Sequence, residues 1–237
     1  MIKVDSINGT ARIAGALYLF VAVCGGFAYF VGYESLFVAT DAIKTANNIM
    51  ASESIFRMSI VGDSLLILAE IVMTVLLYLL FKPVSKTLSM IAGLARLAMT
   101  AMIGMNILNK LIVLQLLSGA QYLKVFNDDQ IQALAMIFLT AYGYGTEIWG
   151  VFFGLHLFII GYLIFKSDFL PGLLGALFLF ASFGYLIDSL GGFVLPQYQE
   201  IYTVIILATI PAELSLAFWL LIKGVNVKRW EGQNRTI

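Results

Sequence analysis

The chain has 237 residues, 61% of them hydrophobic and 12% charged, with a formal net charge of zero. Soluble domains carry roughly 25% charged residues, so this composition excludes a water-exposed surface over most of the molecule, and its neutrality argues against nucleic acid as a partner. A single cysteine, Cys24, excludes an intramolecular disulfide.

A membrane helix needs ~20 apolar residues, and six stretches qualify. The first is Ala11–Val31, preceded by Lys3 and Arg12. Its run reaches Cys24-Gly25 as a lipoprotein signal would, but Val23 stands where processing wants a small residue, and "GGFAYFVG" prolongs the run. The segment therefore reads as a retained helix. In the loop 32–55, Thr40 and Asp41 are suited to start a short helix on the outer surface. The second span, Phe56–Phe81, carries Ser59, Asp63, Glu70 and Thr74 within about 40° of one line. A polar stripe that narrow must point away from lipid.

The third span, Ser89–Leu117, holds Arg96, Thr100, Asn106, Asn109, Lys110 and Gln115. The fourth, Ile131 to Phe165, is too long for one straight crossing, and "AYGYGTE" predicts a break, bend or strong tilt near 143–145. Gly143, Glu147, Gly150, Gly154 and Gly161 share one face of it, which lets another helix approach closely. His156 lies about 180° from Glu147 and reads as a lipid-side or interhelical polar residue, not a ligand. The fifth span, Pro171–Phe193, has a small-residue face of Ala181, Gly184 and Gly192 around Asp188. In the sixth, Ile201–Ile222, Pro211 predicts a kink just before Glu213. Trp230, among basic residues in the tail, reads as an interfacial anchor.

Short positively charged loops stay cytoplasmic. With the N-terminus inside, the inner set is Lys3, Arg12, Lys82, Lys86, Lys166, Lys223, Lys228, Arg229 and Arg235, against Lys44 and Lys124 outside and Arg57 at the rim. The expected fold is an all-α, polytopic bundle of six transmembrane helices, both termini cytoplasmic, forming one integral membrane domain.

Ionisable residues inside spans default to a functional reading. By depth, Arg57, Asp63, Asn106, Lys110, Glu147 and Asp188 belong to the outer third, Glu70, His156 and Glu213 to the midplane, and Arg96 nearer the inner face. This layering predicts a polar pocket open outward. Arg57 and Lys110 are the available partners for its acids. Arg57 and Asp63, about 120° apart around their helix, are each expected to bond a neighbouring helix, with Lys110, Glu147 and Asp188 as candidates. Glu70, with no strong base at its depth, is expected to be protonated or paired with His156, since burial disfavours the charged form. Packing specificity alone is the competing explanation for the outer layer, and Arg96 and Lys110 could simply snorkel. No H-E-x-x-H, G-x-S-x-G or phosphate loop occurs, so no metal or cofactor is expected.

Five blocks carry a resemblance: "RIAGALYL" (12–19), "NNIMASESIFRMSIVGD" (47–63), "KPVSKTLSMIAGLARL" (82–97), "FFGLHLFIIGYLIFKSDFLPGLLG" (152–175) and "AELSLAFWLLIKG" (212–224). In order and over nearly the whole chain, they resemble the bacterial membrane family catalogued as domain of unknown function 4386. One departure is Gly172, where a basic residue is expected. The resemblance implies a bacterial cytoplasmic-membrane protein, supplies no activity, and places Asn48, Glu53, Arg57 and Asp63 in one constellation at the outer mouth. The favoured function is non-enzymatic: a bundle binding or conducting a small molecule or ion through Arg57, Asp63, Glu70, Asn106, Lys110, Glu147, Asp188 and Glu213. The alternatives are an intramembrane enzyme using Glu70 or Glu213 as acid–base, and an accessory or sensory subunit. Besides the bilayer, the possible partners are that ligand, a second copy of the chain, or another membrane subunit.

Overall fold

The computed structural model describes residues 6–235; Lys3, counted above among the inner charges, lies outside them. Among the described residues there is no strand. Helix α1 (Ile7–Gly26) runs on as a π-helical segment, Phe27–Glu34. It is followed by α2 (Ala42–Ala51), α3 (Glu53–Phe81), α4 (Lys86–Leu116), α5 (Asp128–Lys166), α6 (Gly172–Val194), α7 (Gln199–Ile222) and α8 (Val227–Asn234). Six of these segments are long and apolar enough to cross a membrane: Ile7–Glu34, Glu53–Phe81, Lys86–Leu116, Asp128–Lys166, Gly172–Val194 and Pro196–Ile222. Their number is the one expected, and each overlaps one of the expected spans. The short helix also forms where Thr40-Asp41 places it, and the Asp41 carboxylate accepts from the Lys44 amide at 2.8 Å.

Of the break, bend or strong tilt expected near 143–145, the break does not occur: helix α5 is continuous for 39 residues. Glycine weakens a helix by about 1 kcal/mol but keeps its N–H, so it need not interrupt the ladder as proline would. At 1.5 Å per residue α5 measures roughly 58 Å, so it must tilt or project beyond a ~30 Å hydrocarbon layer. Helix α7 runs on through Pro211.

The chain packs as two compact units. The first takes the chain up to Val21, Ala69–Thr100, and the chain from Glu147 on. Its core gathers Leu77, Phe81, Leu157, Phe178 and Leu216, all at most 2% exposed. Glycines set its helix contacts. A Cβ on Gly161 would lie 2.9 Å from the Gly175 carbonyl, and one on Gly175 would lie 2.7 Å from that of Gly161. The α5–α6 seam is thus backbone against backbone, as the shared glycine face predicts. Gly15 meets the α7 backbone at Ala217 and Leu221 in the same way. At the end of α7, Gly224 takes the left-handed conformation (φ 68°) that a helix C-terminus favours in glycine. The next amide, of Val225, donates to Asn8 Oδ1 at 3.1 Å, which joins the start of α1 to the end of α7. The indole of Trp230 donates to the Leu80 carbonyl at 2.8 Å, and the ring packs against the core.

The second unit comprises Ala22–Leu68 and Ala101–Thr146. Ile49, Phe56, Val113, Leu139 and Tyr142 form its core. Tyr33 stacks on Phe37 with ring centroids 5.1 Å apart and leans on Tyr142 at 4.7 Å.

The glycine seam is testable. Gly175→Ala should lower the thermal unfolding midpoint of detergent-solubilised protein, with an overpacking cost of about 1–3 kcal/mol. Gly26→Ala is the control, because nothing lies within 4 Å of a Cβ there. Equal midpoints for the two variants would show that the seam does not require glycine.

Candidate functional site

The polar stripe of α3 faces inward along its length: Ser59, Asp63, Glu70 and Thr74 are all 6% exposed or less. Its two carboxylates are each closed by a base.

In the first unit, Glu70 pairs with Arg96 of α4. The guanidinium approaches through Nε at 2.5 Å from Oε2 and Nη2 at 3.1 Å from Oε1, and both side chains are at most 2% exposed. This corrects the expectation of a protonated or His156-bound Glu70. The missed signal was depth. Glu70 lies eleven residues before the end of α3 and Arg96 ten after the start of α4, so two antiparallel helices joined by a tight turn bring them level. Arg96 is therefore no snorkelling residue.

The remaining protons of Arg96 are also placed. Nη1 donates to His156 Nε2 at 2.7 Å and to the Tyr18 hydroxyl at 3.3 Å, and Nη2 reaches Met73 Sδ at 3.7 Å. The Tyr18 ring also lies beneath the cation, 5.0 Å from Cζ. Arginine has five N–H donors and no acceptor, so this set uses all of them. The same logic fixes His156. Its Nε2 must accept from Arg96, and its Nδ1, 2.9 Å from the Ala92 carbonyl, must donate. The imidazole is thus neutral and carries its proton on Nδ1. His156 is 1% exposed, so of its two expected settings the interhelical one holds.

In the second unit, Lys110 is fully buried and donates to Asp63 Oδ2 at 2.8 Å, Ser59 Oγ at 3.3 Å and the Ala28 carbonyl at 3.3 Å. Three acceptors match its three protons. Ala28 lies in the π-helical segment, a widened turn of the kind found at functional sites. Tyr142 offers its face to the ammonium at 4.5 Å. Asn106 donates to the Tyr142 carbonyl at 2.9 Å and accepts from Asn109 at 2.8 Å. The Asp63–Lys110 pair was among the expected partnerships. Arg57 departs from expectation: it pairs with Glu53 on its own helix at 2.7 Å, and both side chains are more than half exposed. Asn48 donates instead to the Leu36 carbonyl at 3.2 Å, so Asn48, Glu53, Arg57 and Asp63 do not share one hydrogen-bonded cluster.

Three of the expected site carboxylates, all in the first unit, have no basic partner among the described residues. Glu147 sits against Gly192 across the α5–α6 seam, and its buried Oε2 has no hydrogen bond. Asp188 has the long 3.5 Å approach of Gln199 Nε2. Glu213 accepts from the Tyr185 hydroxyl at 2.8 Å. The expected pairing of Glu147 and Asp188 with Arg57 or Lys110 is therefore absent, because both bases are engaged elsewhere. Among the described residues no group of three or more His, Cys, Asp and Glu side chains is placed to hold a metal.

Six apolar helices around buried charge networks define a multi-pass α-helical membrane protein. The chain belongs to the family described as domain of unknown function (DUF4386), whose model matches residues 13–224. It is also similar to an uncharacterized protein of Archaeoglobus fulgidus, with 36% identity over 166 residues, 70% of this chain and 83% of that one. The likeness therefore reaches beyond the bacteria to which the resemblance pointed. No solved structure matches the chain.

Removing one member of a buried pair leaves an uncompensated charge and costs about 3–5 kcal/mol, whereas replacing both by apolar residues is often neutral. Arg96→Met should therefore lower the unfolding midpoint sharply, and the double variant Arg96→Met, Glu70→Leu should recover most of the loss. A double variant no more stable than the single would mean that the pair is not an isolated electrostatic unit.

Proposed function

We propose that this is a non-enzymatic membrane protein that binds or conducts a small molecule or ion, and that the species is cationic. The supporting observation is a charge imbalance inside the spans. Away from the helix ends stand five carboxylates, Asp63, Glu70, Glu147, Asp188 and Glu213, and two bases, Arg96 and Lys110. Both bases are spent on Asp63 and Glu70. Ionisable groups in a membrane interior mark ion and substrate pathways, since a bare charge there costs ~3 kcal/mol or more. A bound cation or proton compensates the remaining three carboxylates. Glu70 is a poor candidate for acid–base catalysis, because Arg96 holds both of its oxygens. Together these points favour binding over an intramembrane reaction.

We further assign the protein to the cytoplasmic membrane with both termini inside and the ligand entering from outside. This rests on the Lys and Arg distribution between loops. Cysteines introduced singly at 85 and 168 should resist an impermeant thiol reagent in intact cells, and one at 47 should react. Labelling at 168 from outside would reverse the orientation.

The ligand is tested on purified protein in lipid nanodiscs at constant ionic strength. Sodium, potassium, ammonium or choline should raise the unfolding midpoint, a ligand at a hundred times its dissociation constant giving ~2.7 kcal/mol. The triple variant Glu147→Gln, Asp188→Asn, Glu213→Gln should fold and lose that response. Wild type indifferent to every cation, with proteoliposomes that pass no protons, would remove the reading.

A further inference from the structure

The second unit contains a cavity of about 190 Å³ where three helix ends meet. Ile49 and Met50 near the end of α2, and Leu114 and Leu117 at the end of α4, form its apolar wall, and Glu53 and Arg57 of the first α3 turns supply its charges. The volume is below the roughly 300–1,000 Å³ of sites that engulf a whole drug-sized ligand, so it suits one end of a larger amphiphile. The spans beginning at Glu53 and ending at Leu116 bring this cavity to the rim of the apolar layer, the level at which lipid headgroups lie.

Its electrostatics have two poles. Arg57 gives only Nε to Glu53 among the described residues, which leaves the four protons on Nη1 and Nη2 for an outside acceptor. A planar guanidinium edge matches two phosphate oxygens. Glu53 likewise keeps Oε2 outside its bond to Arg57. The helix termini repeat the pattern: α3 begins here and presents the positive end of its dipole, and α4 ends here and presents the negative end. From Arg57, the exposed residues Val61, Leu65 and Leu68 continue down one face of α3 as an apolar track. A phosphate, a primary ammonium and an acyl chain on one molecule would meet all of these features.

We propose that this cavity binds the headgroup of a zwitterionic phospholipid with a primary ammonium, its phosphate on Arg57 and its ammonium on Glu53. A quaternary ammonium lacks the protons to donate to Glu53, and an anionic headgroup without an amine leaves the carboxylate repelled. The site therefore separates phosphatidylethanolamine from phosphatidylcholine and phosphatidylglycerol.

Delipidated protein in detergent is offered equal amounts of the three lipids, and the retained lipid is read by native mass spectrometry. Wild type should retain phosphatidylethanolamine about tenfold over the other two, the scale of one charge-assisted hydrogen bond. Glu53→Gln should reduce that preference to parity, whereas Arg57→Gln, which removes the contact to the phosphate all three lipids share, should lower the retention of all three. Because both side chains are exposed, the variants should keep the wild-type unfolding midpoint in detergent alone. A charge-swapped double variant, Glu53→Arg with Arg57→Glu, keeps an ion pair and so guards against loss of fold; it too should lose the preference. Glycerophosphoethanolamine and inorganic phosphate are offered separately. Stabilisation by inorganic phosphate equal to that by the whole lipid would overturn the assignment in favour of a simple anion site, and equal retention of all three lipids by wild type would overturn it in favour of ordinary lipid contact.

Discussion

A guanidinium buried among apolar helices has five protons to place and little or no water to take them. Each unplaced proton costs far more in hydrocarbon than at a wet surface. Arg96 meets this constraint by drawing its acceptors from three other helices: Tyr18 of α1, Glu70 and Met73 of α3, and His156 of α5. None of those acceptors is optional, so the rotations of α1, α3 and α5 about α4 are fixed together. The neutral tautomer of His156 follows from the same requirement. Lys110 organises the second unit by the same rule with a smaller cation: three protons, three acceptors and an aromatic face.

Elsewhere glycine lets the helices close on one another. The α5–α6 seam combines glycines with a carboxylate in sequence along one face. Gly161, Gly154 and Gly150 admit the backbone or side chains of α6, and then Glu147 takes the position opposite Gly192. Gly192 has no Cβ, and one placed there would come within 3.0 Å of the carboxylate. The acid is thus accommodated sterically while its Oε2 remains without a hydrogen bond.

The six spans were legible in the sequence because lipid enforces a length and a polarity that nothing local can override. The inward face of Ser59, Asp63, Glu70 and Thr74 was legible for a related reason: helical phase is a property of one segment. The Gly143–Glu147–Gly161 face was read by the same means. What failed were statements joining two segments. The partner of Glu70 required aligning α3 with α4 through the 82–85 turn, and counting depth from helix ends placed Arg96 too near the surface. Arg57 was assigned a neighbouring helix although Glu53, four residues away, offers the most local partner on a helix face. Within a single segment only the break in α5, one of the ways its excess length could be taken up, did not occur: the glycines at 143 and 145 keep the helix and admit Tyr33 and Asn106.

The hydrogen bond from Val225 to Asn8 and the contact of Gly15 with the end of α7 tie the first helix to the last. Chains emerge from the ribosome N-terminus first. Helix α1 therefore enters the membrane long before its packing surface exists, and it waits through the synthesis of every intervening span. The second unit draws on nothing later than Thr146, so its whole residue set is available while α6 and α7 are still being made. The order of biogenesis is thereby written into the topology: the interrupted unit closes last, and a nascent chain stalled after α5 carries its first helix with one face still open.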